Sequence, residues 1–96
     1  MFADTSVIRA LAGHLRERAE EIRDLAPRLW SSAREVPWQG VAADAMRRHV
    51  EDRVAALLRC AALHDDAADA LEEHARRVDL AVDLLAAPIH AVEELL

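Results

Sequence analysis

Cys60 and His64 stand four residues apart, with Asp65 and Asp66 directly after. On a helix that spacing puts thiol and imidazole on one face, which is how a zinc site begins. Two further ligands at matching spacing would be needed, and none follows. Cys60 is the sole cysteine, so the chain can form neither an internal disulfide nor a Cys-based zinc motif. His14, His49 and His74 are scattered. Neighbouring acids such as Glu20-Glu21 and Glu72-Glu73 read as solvated helix faces. No Gly-rich phosphate loop, nucleophile elbow or paired-carboxylate cleft is present. The sequence therefore predicts no catalytic residue, no metal and no cofactor: a protein that is not an enzyme.

Composition narrows the partners. Net charge over 96 residues is −6, and every basic side chain except histidine is arginine. An acidic chain without a basic stripe is a poor match for nucleic acid or for anionic membranes. No apolar run is long enough to span a bilayer, and no basic segment followed by an apolar one opens the chain, so neither a membrane span nor a general secretory signal is expected. Hydrophobic residues make up 53% but aromatics only 3%. Ala and Leu dominate, which predicts an all-α protein in one domain over 1–96.

Two runs with helical periodicity would position these side chains. Helix 1 is predicted at about 6–34. Its expected seam is Ile8, Leu11, Leu15, Arg18, Ile22, Leu25 and Leu29, with Ala12, Ala19, Ala26 and Ala33 as a parallel column of small residues beside it. Pro27 predicts a kink. The second run spans about 42–87 with an unbroken four-three alternation through Val50, Val54, Leu57, Ala61, His64, Ala68 and Leu71, and on toward Leu96. From there the run either continues to the end as one helix of about 55 residues, or Pro88 divides it and sits in the first turn of a short third helix over 88–96. Pairs at i,i+4 are expected on the outer faces: Asp24–Arg28, Asp44–Arg48, Glu72–Arg76 and Glu73–Arg77.

Between the runs lies Trp38-Gln39-Gly40, in a turn predicted at about 35–41. Gly relieves the backbone there, and Trp is expected to plug the open end of the helix pair. The fold predicted is an antiparallel two-helix hairpin. Such a hairpin has no interior of its own, and at roughly 25 cal/mol per Å² its uncovered apolar stripe forfeits several kcal/mol. A second hairpin packed face to face, giving a four-helix bundle dimer, is the simplest remedy. The residues expected at that interface are Leu11, Leu15, Ile22, Val54, Leu57, Ala61, His64 and Leu71. His64 is expected to be satisfied by a neighbour there, with a pH-sensitive contact as the sharper alternative.

With these residues in view, the chain resembles the WXG family of small helical hairpins associated with type VII secretion. The likeness covers nearly the whole chain: its length, two amphipathic helices, and the stretch from Val36 to Met46 around Trp38 and Gly40. Met46 stands where the family often has Phe. The resemblance implies a non-enzymatic protein that pairs as a homodimer, or as a heterodimer with a related hairpin. It also implies recognition by a secretion ATPase and a secreted or cell-surface location by a non-classical route. The family's C-terminal export signal is Tyr-x-x-x-Asp/Glu. Here His90 and Glu94 hold that spacing, and the chain has no Tyr. That departure leaves a cytoplasmic adaptor or chaperone, paired with a toxin or another helical hairpin, as the alternative.

Overall fold

The computed structural model describes the backbone of residues 4–95 and the side chains of residues 4–86. Two helices, α1 (Thr5–Glu35) and α2 (Val41–Leu95), account for nearly all of it, with no strand among the described residues. They lie antiparallel in a rod with extents of 85 × 15 × 14 Å. Its Cα radius of gyration is 23.3 Å, well above the roughly 13 Å of a compact domain of about 100 residues.

Local chemistry sets the ends of α1. Asp4, in an extended conformation, accepts the Ser6 amide N–H at 2.9 Å and caps the helix. Hydrogen bonding with the Ser6 side chain, and then with its amide, lowers the Asp4 pKa below the usual aspartate value. Pro27 lies inside the helix on its exposed surface, where water can take the carbonyl that proline's missing N–H leaves unserved. α1 stops at Val36, whose ψ of 122° is the extended state that a following proline imposes. α2 runs to Leu95 as one element. Position 88 therefore neither ends it nor opens a third helix, and of the two alternatives at Pro88 the continuous helix of 55 residues is the one adopted.

The seam between the helices also differs from expectation. Every buried side chain among the described residues is an alanine: Ala12, Ala19, Ala26 and Ala33 from α1, and Ala43, Ala61, Ala68 and Ala75 from α2. The alanine column of α1, predicted to lie beside the seam, is the seam. Leu11 and Leu25, predicted within it, are 50% and 55% exposed. The reason is distance. Methyl side chains let two axes approach toward the lower limit of about 8 Å, whereas leucines at the contact hold them farther apart.

Close approach also lets short charged side chains bridge one edge of the hairpin. Arg9 reaches Asp79 at 2.5 Å; Arg16 grips Glu72 through Nε (3.3 Å) and Nη2 (2.9 Å); Arg23 pairs with Asp65. Arginines seven apart on α1 thus meet acids seven apart on α2, running in the opposite direction. These rungs fix the register. Thr5 closes the last one by donating its hydroxyl to Asp79 at 2.9 Å.

The same register shows what the connection does. Extended from the Arg23–Asp65 rung, it places the end of α1 level with about residue 53, so the first dozen residues of α2 project some 18 Å beyond α1, at about 1.5 Å per residue. Residues 36–40 span that distance as an extended strap, within reach at about 3.3–3.6 Å per residue. Arg47 clamps the strap by donating from Nη2 to the carbonyls of Val36 (3.0 Å) and Trp38 (2.7 Å). The reversal comes at Gly40, whose φ of +101° is open to glycine at little cost. Its carbonyl then accepts the Asp44 N–H at 3.0 Å and starts α2. Trp38 is 63% exposed and plugs nothing in the single chain, contrary to expectation. At the other end, α2 passes the start of α1, and Leu84 and Leu85 are exposed there.

Candidate functional site

Both helices share one heptad frame, and it divides the hairpin into two unlike sides. Beside the alanine seam, one flank carries the ion-pair ladder. The opposite flank carries Ile8, Leu15, Ile22 and Leu29 of α1 next to Leu57, His64, Leu71 and Val78 of α2. These side chains are half-buried, apart from the more open Leu29 at 40% exposure. Farther out on the same side stand Leu11, Leu25 and Leu63, all exposed. A shallow groove opens there between the helices, lined by Leu25, Arg28, Leu29, Ser32 and Leu57.

The ladder flank is electrostatically satisfied. Hydrogen bonds from Arg16 to Glu72 and then Asp69 raise the pKa of the Arg16 guanidinium above the usual arginine value. Asp65 does the same for Arg23. The Thr5 hydroxyl and then Arg9 lower the Asp79 carboxyl below the usual range. Arg76, helped by Arg77, lowers Glu73 likewise. No buried side-chain nitrogen or oxygen among the described residues lacks a partner.

The expected interface residues divide. Leu11, Leu15, Ile22, Leu57, His64 and Leu71 do fall together on the apolar side. Ala61, fully buried between the helices, cannot reach a second chain without opening the hairpin. Val54 continues the seam toward the strap and is half-buried, as is Met46. Trp38 and Gly40 lie in the connection, away from the middle of the apolar side. His90 and Glu94 lie outside the residues whose side chains are described.

Cys60 and His64 face the apolar side together. The His64 ring nitrogen Nδ1 sits 2.8 Å from the Cys60 carbonyl oxygen and 3.7 Å from its sulfur. Donation from Nδ1 to that carbonyl leaves Nε2 as the acceptor of the neutral ring. His64 therefore has the satisfying neighbour expected for it, and no three metal-ligating side chains converge among the described residues.

The ladder was missed from sequence. The signal was available: Arg9, Arg16 and Arg23 recur every seven residues, as do Asp65, Glu72 and Asp79. Acids four residues from an arginine in the same helix mask the cross-helix pattern. Glu72 was assigned to Arg76, yet it meets Arg16, and Arg76 turns to Glu73 at 2.6 Å. Asp44 pairs with Arg47 (3.5 Å) and not Arg48, and no Asp24–Arg28 pair forms. Of the expected pairs, Glu73–Arg77 is present at 3.2 Å.

Comparison with known proteins adds no identification: the chain matches no family model, no curated protein and no solved structure. No helix among the described residues is long and apolar enough to cross a membrane.

Proposed function

We propose that this chain is a pairing module: half of a four-helix bundle, completed when the apolar side docks against a second helical hairpin. The observation that carries it is the absence of any buried side chain larger than alanine. Seven methyl groups close the seam between the helices and Ala43 is buried in the part of α2 beyond α1, while the Leu, Ile and Val side chains described, which hold most of the burial energy at roughly 1.5–3 kcal/mol each when fully buried, remain half in water or more exposed. A second hairpin laid on that side removes the deficit. The contacts are made by faces of rigid helices, so the activity is binding and not catalysis.

The resemblance of Val36–Met46 to the WXG turn supports placing this pairing in a type VII secretion pathway, as a substrate or as the subunit that accompanies one. A secretion ATPase is then the further partner, reading the pair and a helical tail. The absence of tyrosine from the chain favours a second reading, in which the hairpin stays inside the cell as an adaptor for another helical protein. One experiment addresses both. The tagged chain and its Leu25→Asp variant are expressed in the native cell, and extract and culture medium are sized separately. The wild-type chain is expected in a complex about one small hairpin larger than itself, and Leu25→Asp alone. A wild-type chain that runs as a monomer would defeat pairing. Its presence in the medium separates export from the adaptor role.

A further inference from the structure

The two sides of the hairpin differ in charge as well as in hydrophobicity. On α2, every Asp and Glu up to Ala86 falls in the three heptad columns on the ladder side, and none in the three on the apolar side. The apolar side instead holds Arg53 and Arg77 of α2, and Arg18 and Arg28 of α1. Four of the five histidines, His14, His49, His64 and His74, are there too. Its acids among the described residues are Glu21, which is 3.8 Å from Arg18, with Asp4 and Glu35 at the two ends of α1. Arg18 is offset by Glu21 and Arg77 by Glu73, so the uncompensated charge on the apolar side of this chain of net charge −6 is that of the cations Arg28 and Arg53.

Both of those cations stand at the groove. Arg28 lines it, and Arg53 lies one turn before Leu57 on the same side. Neither forms an ion pair among the described residues, whereas Arg9, Arg16 and Arg23 all do. We infer that the partner is a helical hairpin of different sequence, whose apolar stripe is rimmed by Asp and Glu, and that a second copy of this chain is the weaker match. The inference presupposes pairing through the apolar side. Two copies joined by their apolar sides bring cationic rims together, and like charges set face to face suppress a wrong partner. Turning one copy round offers carboxylates, but its ladder side has no continuous apolar stripe to bury.

The test uses a charge-swapped copy, Arg28→Glu/Arg53→Glu, as the acidic-rimmed partner. Both positions are exposed on α1 and α2 and unpaired, so the fold is expected to persist, with circular dichroism as the check. Labelled wild-type chain is titrated with itself and with the swapped copy at about 50 mM and about 500 mM NaCl. The mixed pair is expected to be roughly tenfold tighter than either self-pair at low salt, with the gap closing at high salt as screening shortens to a few ångströms. A second readout needs no variant: wild-type self-association should strengthen as salt rises, because screening removes repulsion. A wild-type self-pair as tight as the mixed pair, or one weakened by salt, overturns the inference. If Leu25→Asp abolishes that self-pair, pairing through the apolar side still stands. Folded chains that pair in no combination overturn both.

Discussion

Ala61 and Ala62 are adjacent in α2, and the structure assigns them opposite surroundings: Ala61 is fully buried in the seam, and Ala62 is exposed on the ladder side. Replacing either by glycine costs the same helix propensity, about 1 kcal/mol. Only Ala61→Gly also takes a methyl out of a closed contact. That adds about 0.8 kcal/mol of lost burial and a few tenths for the void, at roughly 24 cal/mol per Å³. The expected costs are therefore about 2 kcal/mol for Ala61→Gly and about 1 for Ala62→Gly. The unfolding entropy of a 96-residue chain is near 0.2 kcal/mol per kelvin, at about 2.1 cal/mol/K per residue. The melting temperature should then fall by roughly 10 °C and 5 °C respectively. Circular dichroism melts at one fixed protein concentration provide the measurement, since the proposed pairing would make Tm concentration-dependent. Equal losses, or a larger loss at Ala62, would refute the alanine seam and return the contact to the leucine columns.

Three further outcomes follow from the same geometry. Arg16→Glu should lower Tm by setting three carboxylates together, and adding Glu72→Arg should restore most of the loss at low salt; a double variant no better than the single one would remove the ladder from the account. Gly13 lies within α1 with nothing within 4 Å of an added Cβ, so Gly13→Ala should stabilise by about 0.5–1 kcal/mol. Gly40→Ala meets equally open space at φ +101° and should cost about 1–3 kcal/mol; urea titrations that gave both changes the same sign would contradict the backbone assignment. The lowered carboxyls of Asp79 and Glu73 contribute stability above their unfolded values of 3.8 and 4.5, and that contribution is lost as pH falls through their folded values. Raised arginines lose theirs only in strong alkali, so Tm should be level from about pH 7 down to about pH 5 and fall below it. A Tm unchanged at about pH 2.5 would mean the rungs contribute nothing.

The fold class was readable because a period of seven is a property of the chain alone. The choice of seam was not, because it depends on what a second helix does. Leu11, Leu15 and Leu25 outrank Ala12, Ala19 and Ala26 on any burial scale, and a search for the greasiest stripe selects them. The deciding term is how closely the backbones can approach. Alanine wins it by allowing short acids such as Asp65 and Asp79 to reach arginines across the edge. The apolar side was legible as a set of residues, but Ala61 belongs to the buried seam within the hairpin; seam and side look continuous in one helix.

The ladder and the apolar side are consequences of one constraint. With alanines between the axes, each helix has two flanking columns that could close the hairpin. Closing both with leucine would leave no surface distinguishing one partner from another, and closing both with ion pairs would leave little to bury. The chain places the charge on one flank, where each arginine finds its acid and neither is desolvated enough to carry a heavy penalty. The second flank is left apolar, with cations and no acid from α2. Register is thus set within the chain, and the apolar side is presented on two long helices. Under the proposed pairing, little ordering of the hairpin's own backbone would remain to be done on binding, and more of the apolar burial would appear as affinity.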